Sequence, residues 1–211
     1  MYLLSKELLF PPVYLANKDG LLALGGDLSA ERLLLAYKSG IFPWYSEGEP
    51  IIWYSPDPRM VLFPKNLNIS KSMMQIIRKN QFRATFNQNF SEVISNCKNS
   101  YREGQGGTWI TDVMEQAYNN LHKLGVAKSV EVWEGNELVG GLYGIDLRHA
   151  FCGESMFSKV SNASKFAFIY LVQKLEKEHY KLIDCQVYNA HLASLGANEI
   201  SRSAFLTYLK K

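Results

Sequence analysis

The sequence has few of the residues that would indicate a disulfide scaffold, a metal site or a membrane protein. Its three cysteines, Cys97, Cys152 and Cys185, lie far apart and form no Cys-x-x-Cys pair, so neither a zinc site nor a redox motif is expected. No apolar run approaches the ~20 residues of a membrane-spanning helix. Lys6 and Glu7 interrupt the apolar start of the chain, which is unlike a signal peptide. We therefore expect a cytoplasmic protein with reduced, buried thiols.

Neither charge sign dominates the sequence. Among 211 residues, 23 Lys and Arg stand against 20 Asp and Glu, and the net charge is +3. This excess permits contact with nucleic acid but does not argue for it, because binding depends on a local patch rather than on a total. The hydrophobic fraction of 47% is ordinary for a globular protein, so disorder of the whole chain is not expected.

The first sixty residues are rich in turn-forming residues and contain one clear helix signal. Ser29 can cap the start of that helix, and Gly40 stands where a left-handed residue would end it. Two aromatic clusters follow, at residues 42–45 and 53–54. Beyond residue 62 the pattern changes to alternating helices and strands. We therefore predict a small N-terminal domain, 1–62, and a second domain, 63–211.

The second domain is predicted to contain a mixed, mostly antiparallel sheet. Residues 129–133 alternate between apolar and polar side chains and return through 138–145, which predicts a hairpin. A third strand is expected at 149–155, a long helix from Asn162 and a buried strand at 182–187. Two further helices have predicted N-terminal caps, Ser70 and Thr111. This order matches an acetyltransferase-like fold, so the predicted class is α/β (α+β) with an acetyltransferase-like second domain.

Six short blocks of the sequence together point to one protein family. They are GLLALGGDL at 20–28, GIFPW at 40–44, WYSPDPR at 53–59, GTWIT at 107–111, FCGESMFS at 151–158 and LIDCQV at 182–187. Together, and in this order, they resemble the leucyl/phenylalanyl-tRNA–protein transferases of bacteria. The resemblance implies an enzyme that moves leucine or phenylalanine from its charged tRNA to the N-terminal Arg or Lys of a protein, which marks that protein for degradation.

The implied reaction replaces an ester by an amide and so runs downhill without a nucleotide, metal or other cofactor. An α-amine has a pKa of ~7.7–8.0, so a useful fraction is already neutral at cytosolic pH. The main task is then orientation of amine and ester, together with polarisation of the developing oxyanion. The proton would pass to water or to a ribose hydroxyl. We expect a monomer whose partners are charged tRNA and protein N-termini, with no membrane contact.

The strand at 182–187 carries the candidate catalytic pair. Asp184 and Gln186 are two residues apart, so a regular strand would place both on one face and Cys185 on the other. The resemblance implies that Gln186 holds the incoming amine through its side-chain oxygen and that Asp184 orients that amide. Glu154 is expected to contact an amino group of a substrate. From the residues alone, Asp184 could instead satisfy backbone donors, and Glu154 could be a solvated charge.

Aromatic and apolar residues are predicted to bind the aminoacyl-adenosine end. Trp44 and Trp109 match positions at which the family stacks on the terminal adenosine, a common way to bind unpaired bases, with Tyr37 and Tyr118 as hydroxyl-bearing neighbours. The slot for the amino acid side chain is predicted from Leu142, Phe151, Met156 and Phe157, which are apolar and partly flexible. Each could instead be ordinary core, and Trp53 and Trp133 are expected to be structural.

Recognition of the rest of the tRNA is expected to use its phosphates. The candidate patch consists of Lys71, Arg78, Lys79 and Arg83. Lys71 and Arg78 are seven residues apart and so share one helix face. Met74 and Gln75, which lie between them, are uncharged. A solvated helix face is the alternative interpretation of this patch.

Two other functions are consistent with parts of the sequence. An acetyl-coenzyme A-dependent N-acetyltransferase would share the predicted fold. No Gln/Arg-x-x-Gly-x-Gly/Ala loop precedes the helix at Asn162, however, and the glycine cluster at 103–107 lacks that spacing. A non-catalytic module could also bind tRNA ends or peptide termini, with Asp184 and Gln186 only recognising an amine. Transfer of leucine to a peptide that begins with arginine distinguishes the enzyme from this module.

Overall fold

The computed structural model describes residues 2–100 and 110–210. The strands are β1 Tyr2–Leu4, β2 Leu21–Gly25, β3 Phe42–Pro43, β4 Ile52–Tyr54, β5 Arg59–Leu62, β6 Arg83–Phe86, β7 Ala127–Glu134, β8 Glu137–Asp146, β9 Ala150–Ser158, β10 Leu182–Gln186 and β11 Asn198–Ile200. The helices are α1 Ala30–Lys38, α2 Lys71–Arg78, α3 Phe90–Asn99, α4 Asp112–Lys123, α5 Ala163–Lys177, α6 Ala190–Ser194 and α7 Arg202–Leu209. Short 3₁₀ turns occupy Val13–Leu15 and Pro64–Asn66.

Helix starts follow the capping chemistry of the sequence. A hydroxyl oxygen accepts the backbone N–H three residues later at the three predicted caps, Ser29, Ser70 and Thr111. These bonds satisfy donors that have no partner inside the first turn. Gly40 follows α1 with a φ of 75°, the left-handed conformation that glycine adopts without steric cost. The predicted boundaries of these helices are therefore confirmed.

The strands form two sheets. The smaller has the order β1-β2-β4-β3 and the larger the order β11-β5-β10-β9-β8-β7-β6. In the larger sheet β9 and β10 are parallel, and the other neighbouring pairs are antiparallel. The predicted α/β class, the hairpin of β7 with β8 and the mixed, mostly antiparallel sheet are confirmed.

Helices cover both faces of the larger sheet. Tyr143 belongs to a hydrophobic cluster with Val93 of α3, whereas Leu142 belongs to a second cluster with Phe168 of α5. Because adjacent residues of a strand point to opposite faces, the two clusters lie on opposite sides of β8. No helix in the described part of the chain is long and apolar enough to cross a membrane.

The N-terminal segment shares its core with the rest of the molecule. Leu33 and Trp53 pack in the same cluster as Val93 and Ile145. In addition, β5, at the end of the predicted first domain, pairs with β10 and β11 in the larger sheet. The division at residue 62 stays a prediction. Strand β5 precedes that boundary, whereas the other strands of its sheet follow it.

A buried carboxylate from β7 caps helix α3. The side chain of Asn89 makes no capping bond at this helix. Instead Glu131, fully buried, accepts the backbone N–H groups of Gln88 and Asn89 at 3.2 Å each. Its oxygens also accept the hydroxyls of Ser129 and Thr85 at 2.5 and 2.6 Å. The carboxylate thus ties the start of α3 to the sheet, and four donors satisfy its charge.

Candidate active site

A cavity of about 520 Å³ lies where β9 and β10 separate. The two strands pair only from Leu182 to Asp184, opposite 150–152, whereas β9 continues to Ser158. Beyond that pairing, residues 153–158 of β9 and 184–187 at the end of β10 line the cavity. Helix α5 and strand β3 close its sides. The site is therefore formed by the divergence of two parallel strands, and the N-terminal segment supplies one wall.

Strand β10 is irregular at the residues that matter most. The pairing with β5 shifts between Asp184 and Gln186, so Cys185 is an extra residue in a bulge. Gln186 has a φ of 65°, the left-handed region. Asp184, Cys185 and Gln186 all line the cavity. Cys185 also packs against the hydrophobic cluster that contains Phe168 of α5, and the predicted placement of its side chain on the face opposite Asp184 stays a prediction.

Asp184 is buried and fully engaged by donors. Its two carboxylate oxygens accept Nε and Nη2 of Arg59 at 2.8 and 2.7 Å, and Oδ1 also accepts the backbone N–H of Gln186 at 2.9 Å. The side chains of Asp184 and Arg59 are each 1% exposed. A carboxylate held by charge-assisted hydrogen bonds in this way is rigid. Asp184 therefore holds the backbone at Gln186, and the orientation of the side-chain amide by Asp184 stays a prediction.

Glu154 holds the side-chain amide of Gln186. The Gln186 Nε2 donates to Glu154 Oε1 at 2.8 Å, and the Tyr118 hydroxyl donates to Oε2 at 2.8 Å. The Tyr37 hydroxyl is in turn hydrogen-bonded to that of Tyr118. Since the amide nitrogen is engaged, the Gln186 side-chain oxygen is oriented as an acceptor. No hydrogen bond to that oxygen comes from residues 2–100 or 110–210.

The two carboxylates of the site have opposite electrostatic surroundings. Burial raises the pKa of Glu154 from 4.5 to about 8, a shift that the neighbouring Tyr118 and Tyr37 hydroxyls oppose. Burial also raises the pKa values of Tyr37 and Tyr118 well above 10, and the charge of Glu154 adds to this. Unlike Asp184, Glu154 has only neutral hydrogen-bond donors beside it, so its charged form is disfavoured.

Apolar side chains form much of the cavity lining. Three predicted pocket residues, Leu142, Met156 and Phe157, are among them. The sequence reasoning missed further apolar residues of the lining, which include Phe168, Leu171, Ile183 and Leu192. Local sequence does not distinguish an apolar residue of the core from one of a cavity wall. The cavity therefore combines apolar surface with the hydrogen-bonding groups of Glu154 and Gln186.

Three other predicted substrate residues do not line the cavity. Phe151 is 1% exposed and packs in the cluster under α5. Tyr37 and Tyr118 are also buried, behind Glu154. Their contact with a substrate stays a prediction, and what the structure describes for the two tyrosines is the hydrogen-bond chain to Glu154.

Trp44 lies at the rim of the cavity. It is 38% exposed, lines the cavity and packs against Tyr54 with ring centroids 5.8 Å apart. Its predicted partner Trp109 lies outside the described residues. Trp53 is structural, as expected: it is fully buried and its indole N–H donates to the Gly25 carbonyl at 2.8 Å. Trp44 thus offers an exposed aromatic face at the cavity.

The predicted basic patch lies away from the cavity. All four of its residues, Lys71, Arg78, Lys79 and Arg83, are exposed, and none lines the cavity. The Arg83 guanidinium lies over the Trp133 ring at 5.4 Å. Contact with the body of a tRNA stays a prediction for these residues.

Arg59 is a site residue that sequence reasoning missed. It ends the WYSPDPR block, but its carboxylate partner is 125 residues away in the chain. Proximity of this kind is not encoded in any local pattern. The only signal was a charged residue directly before the apolar run at 60–63, because an unpaired charge is costly when it is buried.

Comparison with known proteins shows the family of the chain. Residues 61–210 match the family described as leucyl/phenylalanyl-tRNA protein transferase, and residues 26–57 match its N-terminal domain. Three relatives carry the name leucyl/phenylalanyl-tRNA–protein transferase. The protein of Flavobacterium johnsoniae is 66% identical and the alignment covers 100% of this chain and 99% of the relative. Those of Christiangramia forsetii and Flavobacterium psychrophilum are 61% and 60% identical, with 99% and 100% of this chain and 100% of each relative covered.

Solved structures give weaker likenesses. A GCN5-related N-acetyltransferase from Kribbella flavida has a TM-score of 0.42 at 9% identity, covering 80% of this chain and 60% of that one. The L-PGS of Bacillus licheniformis has a TM-score of 0.44 at 13% identity, covering 78% and 55%. Such low scores say nothing about the reaction. The sequence relatives, which match from end to end, establish that the chain belongs to the leucyl/phenylalanyl-tRNA–protein transferase family.

Proposed function

We propose that this chain transfers leucine or phenylalanine from aminoacyl-tRNA to the N-terminal Arg or Lys of a protein and forms a peptide bond. Family membership supports the reaction class. The observation that carries the proposal is the Gln186 amide, which Glu154 anchors in a cavity lined by many apolar residues. The modified N-terminus would then mark the protein for degradation in the cytoplasm.

The aminoacyl group fits the chemistry of the cavity. A leucine or phenylalanine side chain would lie among Leu142, Met156 and Phe157, where burial of apolar surface contributes roughly 25 cal/mol per Å². The terminal adenine would stack on Trp44 at the rim, an interaction worth about 1–3 kcal/mol. These two contacts would hold the ester carbonyl beside β10. Trp109, by resemblance, would cover the second face of the base.

The incoming amine would meet the side-chain oxygen of Gln186, which accepts no hydrogen bond from the described residues. Its N–H donates to that oxygen, so the nitrogen lone pair is turned towards the ester carbon. A C–N bond forms, the bond to the ribose oxygen breaks, and the proton lost by the amine ends on that ribose hydroxyl. Glu154 acts by fixing the amide, and Asp184 by fixing the backbone that carries it.

Mass spectrometry tests the transfer directly. A synthetic peptide that begins with arginine is incubated with the protein and leucyl-tRNA, and a gain of one leucine residue at its N-terminus is expected. An otherwise identical peptide with an acetylated N-terminus is the matched control and should not react. If the free peptide gains nothing while a binding assay shows that it associates, the chain is a binding module.

The N-acetyltransferase alternative is tested in the same assay. Acetyl-coenzyme A replaces leucyl-tRNA, and the peptide is again analysed by mass. We expect no acetylation, because the helix after β9 starts at Asn162 without the glycine loop that pyrophosphate binding requires. Acetylation with no leucylation would contradict the proposed function.

A further inference from the structure

Arg59 is buried between two walls of the active-site cavity. Its Nε and Nη2 donate to the two oxygens of Asp184 at 2.8 and 2.7 Å, and its Nη1 donates to the Gly40 carbonyl at 3.2 Å. The guanidinium carbon lies 4.8 Å from the Phe42 ring centroid and 4.7 Å from that of Phe205. Every nitrogen of this planar group therefore donates a hydrogen bond, and two aromatic rings pack against it, which restricts its position.

The contacts of Arg59 extend to the residue that would hold the amine. Asp184 Oδ1, which accepts Arg59 Nε, also accepts the backbone N–H of Gln186. Gln186 has a φ of 65° and follows the bulge in β10. A non-glycine residue adopts this conformation only when surrounding contacts hold it there. The Arg59 guanidinium and the Gln186 backbone N–H therefore donate to the same oxygen of Asp184.

We propose that Arg59 is a positioning residue for the transfer reaction, acting through Asp184 to hold the left-handed turn that aims the Gln186 amide at Glu154. This inference rests on the proposed function. Arg59 touches no reacting atom, since the Asp184 carboxylate and the Phe42 ring surround it. Its contribution is to keep the acceptor oxygen of Gln186 in the geometry for attack, where a displacement of about 1 Å is enough to slow a reaction roughly 100-fold.

Arg59→Lys tests this role while keeping the charge. A lysine has one ammonium group, which cannot bond both Asp184 oxygens and the Gly40 carbonyl in one plane. We expect kcat for leucine transfer to fall by about 10- to 100-fold, with the KM for leucyl-tRNA within about 2-fold of its original value. An unchanged kcat would overturn the proposal.

Arg32→Lys is the matched control. Arg32 is the other fully buried arginine in the described part of the chain, donates to the carbonyls of Ser5 and Glu7 and does not line the cavity. This variant should lower the melting temperature and keep kcat. If it lowers kcat as much as Arg59→Lys does, the effect belongs to buried arginines in general and the positioning role is wrong.

A double-mutant cycle tests whether the effect of Arg59 on kcat depends on the Asp184 carboxylate. Arg59→Met should lower kcat strongly in the original chain but add little in an Asp184→Asn background, because the carboxylate through which it acts is already lost. Losses that multiply would overturn the proposal. If Arg59→Met does not fold, Arg59→Lys takes its place in the cycle.

A structural readout separates this inference from the proposed function. In a crystal structure of Arg59→Lys, we expect the φ of Gln186 to leave the left-handed region and its bond to Glu154 to break. A structure that keeps both features overturns the positioning role even if the original chain transfers leucine. Failure of the original chain to transfer leucine would overturn the proposed function, and the crystal structure would still decide what Arg59 holds.

Discussion

Two buried carboxylates at the same site differ because of their partners. Asp184 faces the forked guanidinium of Arg59, whereas Glu154 faces the neutral groups of Tyr118 and Gln186. Burial raises the pKa of Glu154 to about 8. Asp184 is therefore held by a cation, whereas Glu154 can change protonation near neutral pH, and such differences in environment are common in active sites.

The raised pKa of Glu154 predicts a pH-dependent stability. Below pH 4.5 the group is protonated in both the folded and the unfolded chain. Between 4.5 and about 8 the unfolded chain ionises first, so the free energy of unfolding falls by up to ~1.4 kcal/mol per pH unit. Glu154→Gln removes this pH dependence of the free energy of unfolding. Urea denaturation of both chains from pH 4.5 to 8.5 measures the difference.

The control for this prediction is Glu137→Gln, which changes an exposed glutamate on β8. The difference in free energy of unfolding between this variant and the original chain should not vary with pH in this way. If the stability difference between Glu154→Gln and the original chain is constant from pH 4.5 to 8.5, Glu154 is not buried in its neutral form.

Trp44 predicts a defined loss of ligand affinity. Replacement by alanine removes the exposed aromatic face at the cavity rim and should weaken binding of a non-hydrolysable leucyl-adenosine analogue by about 1–3 kcal/mol. Isothermal titration calorimetry measures the change. Trp133→Ala is the matched control, since Trp133 is a half-buried indole that does not line the cavity. Equal affinity of the Trp44 variant and the original chain would remove Trp44 from the site.

At the scale of elements, Glu131 joins strand β7 to the start of helix α3. Glu131→Ala leaves four donors without their acceptor, and three of them belong to buried or half-buried residues. Each buried group that stays unsatisfied costs about 1–3 kcal/mol. We expect the free energy of unfolding to fall by at least ~3 kcal/mol in urea melts. The same substitution at the exposed Glu137 should change it by less than ~0.5 kcal/mol, and a similar result at both positions would refute the cap.

The elements also differ in how well local sequence predicts them. Two kinds of feature were predicted because they depend on residues close together in the sequence. They are the helix caps at Ser29, Ser70 and Thr111 and the β7–β8 hairpin. The bulge at Cys185 was not predicted, because the local alternation of 182–187 is that of a regular strand. It arises from pairing with β5 and from the Asp184 bond to the Gln186 backbone.

At the scale of the molecule, the basic patch predicts how binding responds to salt. Lys71→Ala combined with Arg78→Ala should weaken binding of whole leucyl-tRNA and reduce the slope of log affinity against log salt by about 0.7 to 0.9 for each lost phosphate contact. Binding of leucyl-adenosine should not change, because neither residue lines the cavity. Fluorescence anisotropy between 50 and 200 mM salt measures both.

The paired control removes two exposed lysines outside the patch, Lys18 and Lys123. It changes the net charge by the same amount, so an equal loss of slope would show a general charge effect and no defined tRNA surface. A slope that stays constant in the patch variant would remove these residues from the docking surface.

The sequence by itself determined the family, the class of fold, the helix caps and most candidate residues, because each depends on short blocks or on the periodicity of one element. The tertiary structure alone decided that Arg59 pairs with Asp184, that Glu154 holds the Gln186 amide and that Glu154 titrates near pH 8. The physical reason is distance along the chain: these properties depend on burial and on partners from separate strands, which no local pattern specifies.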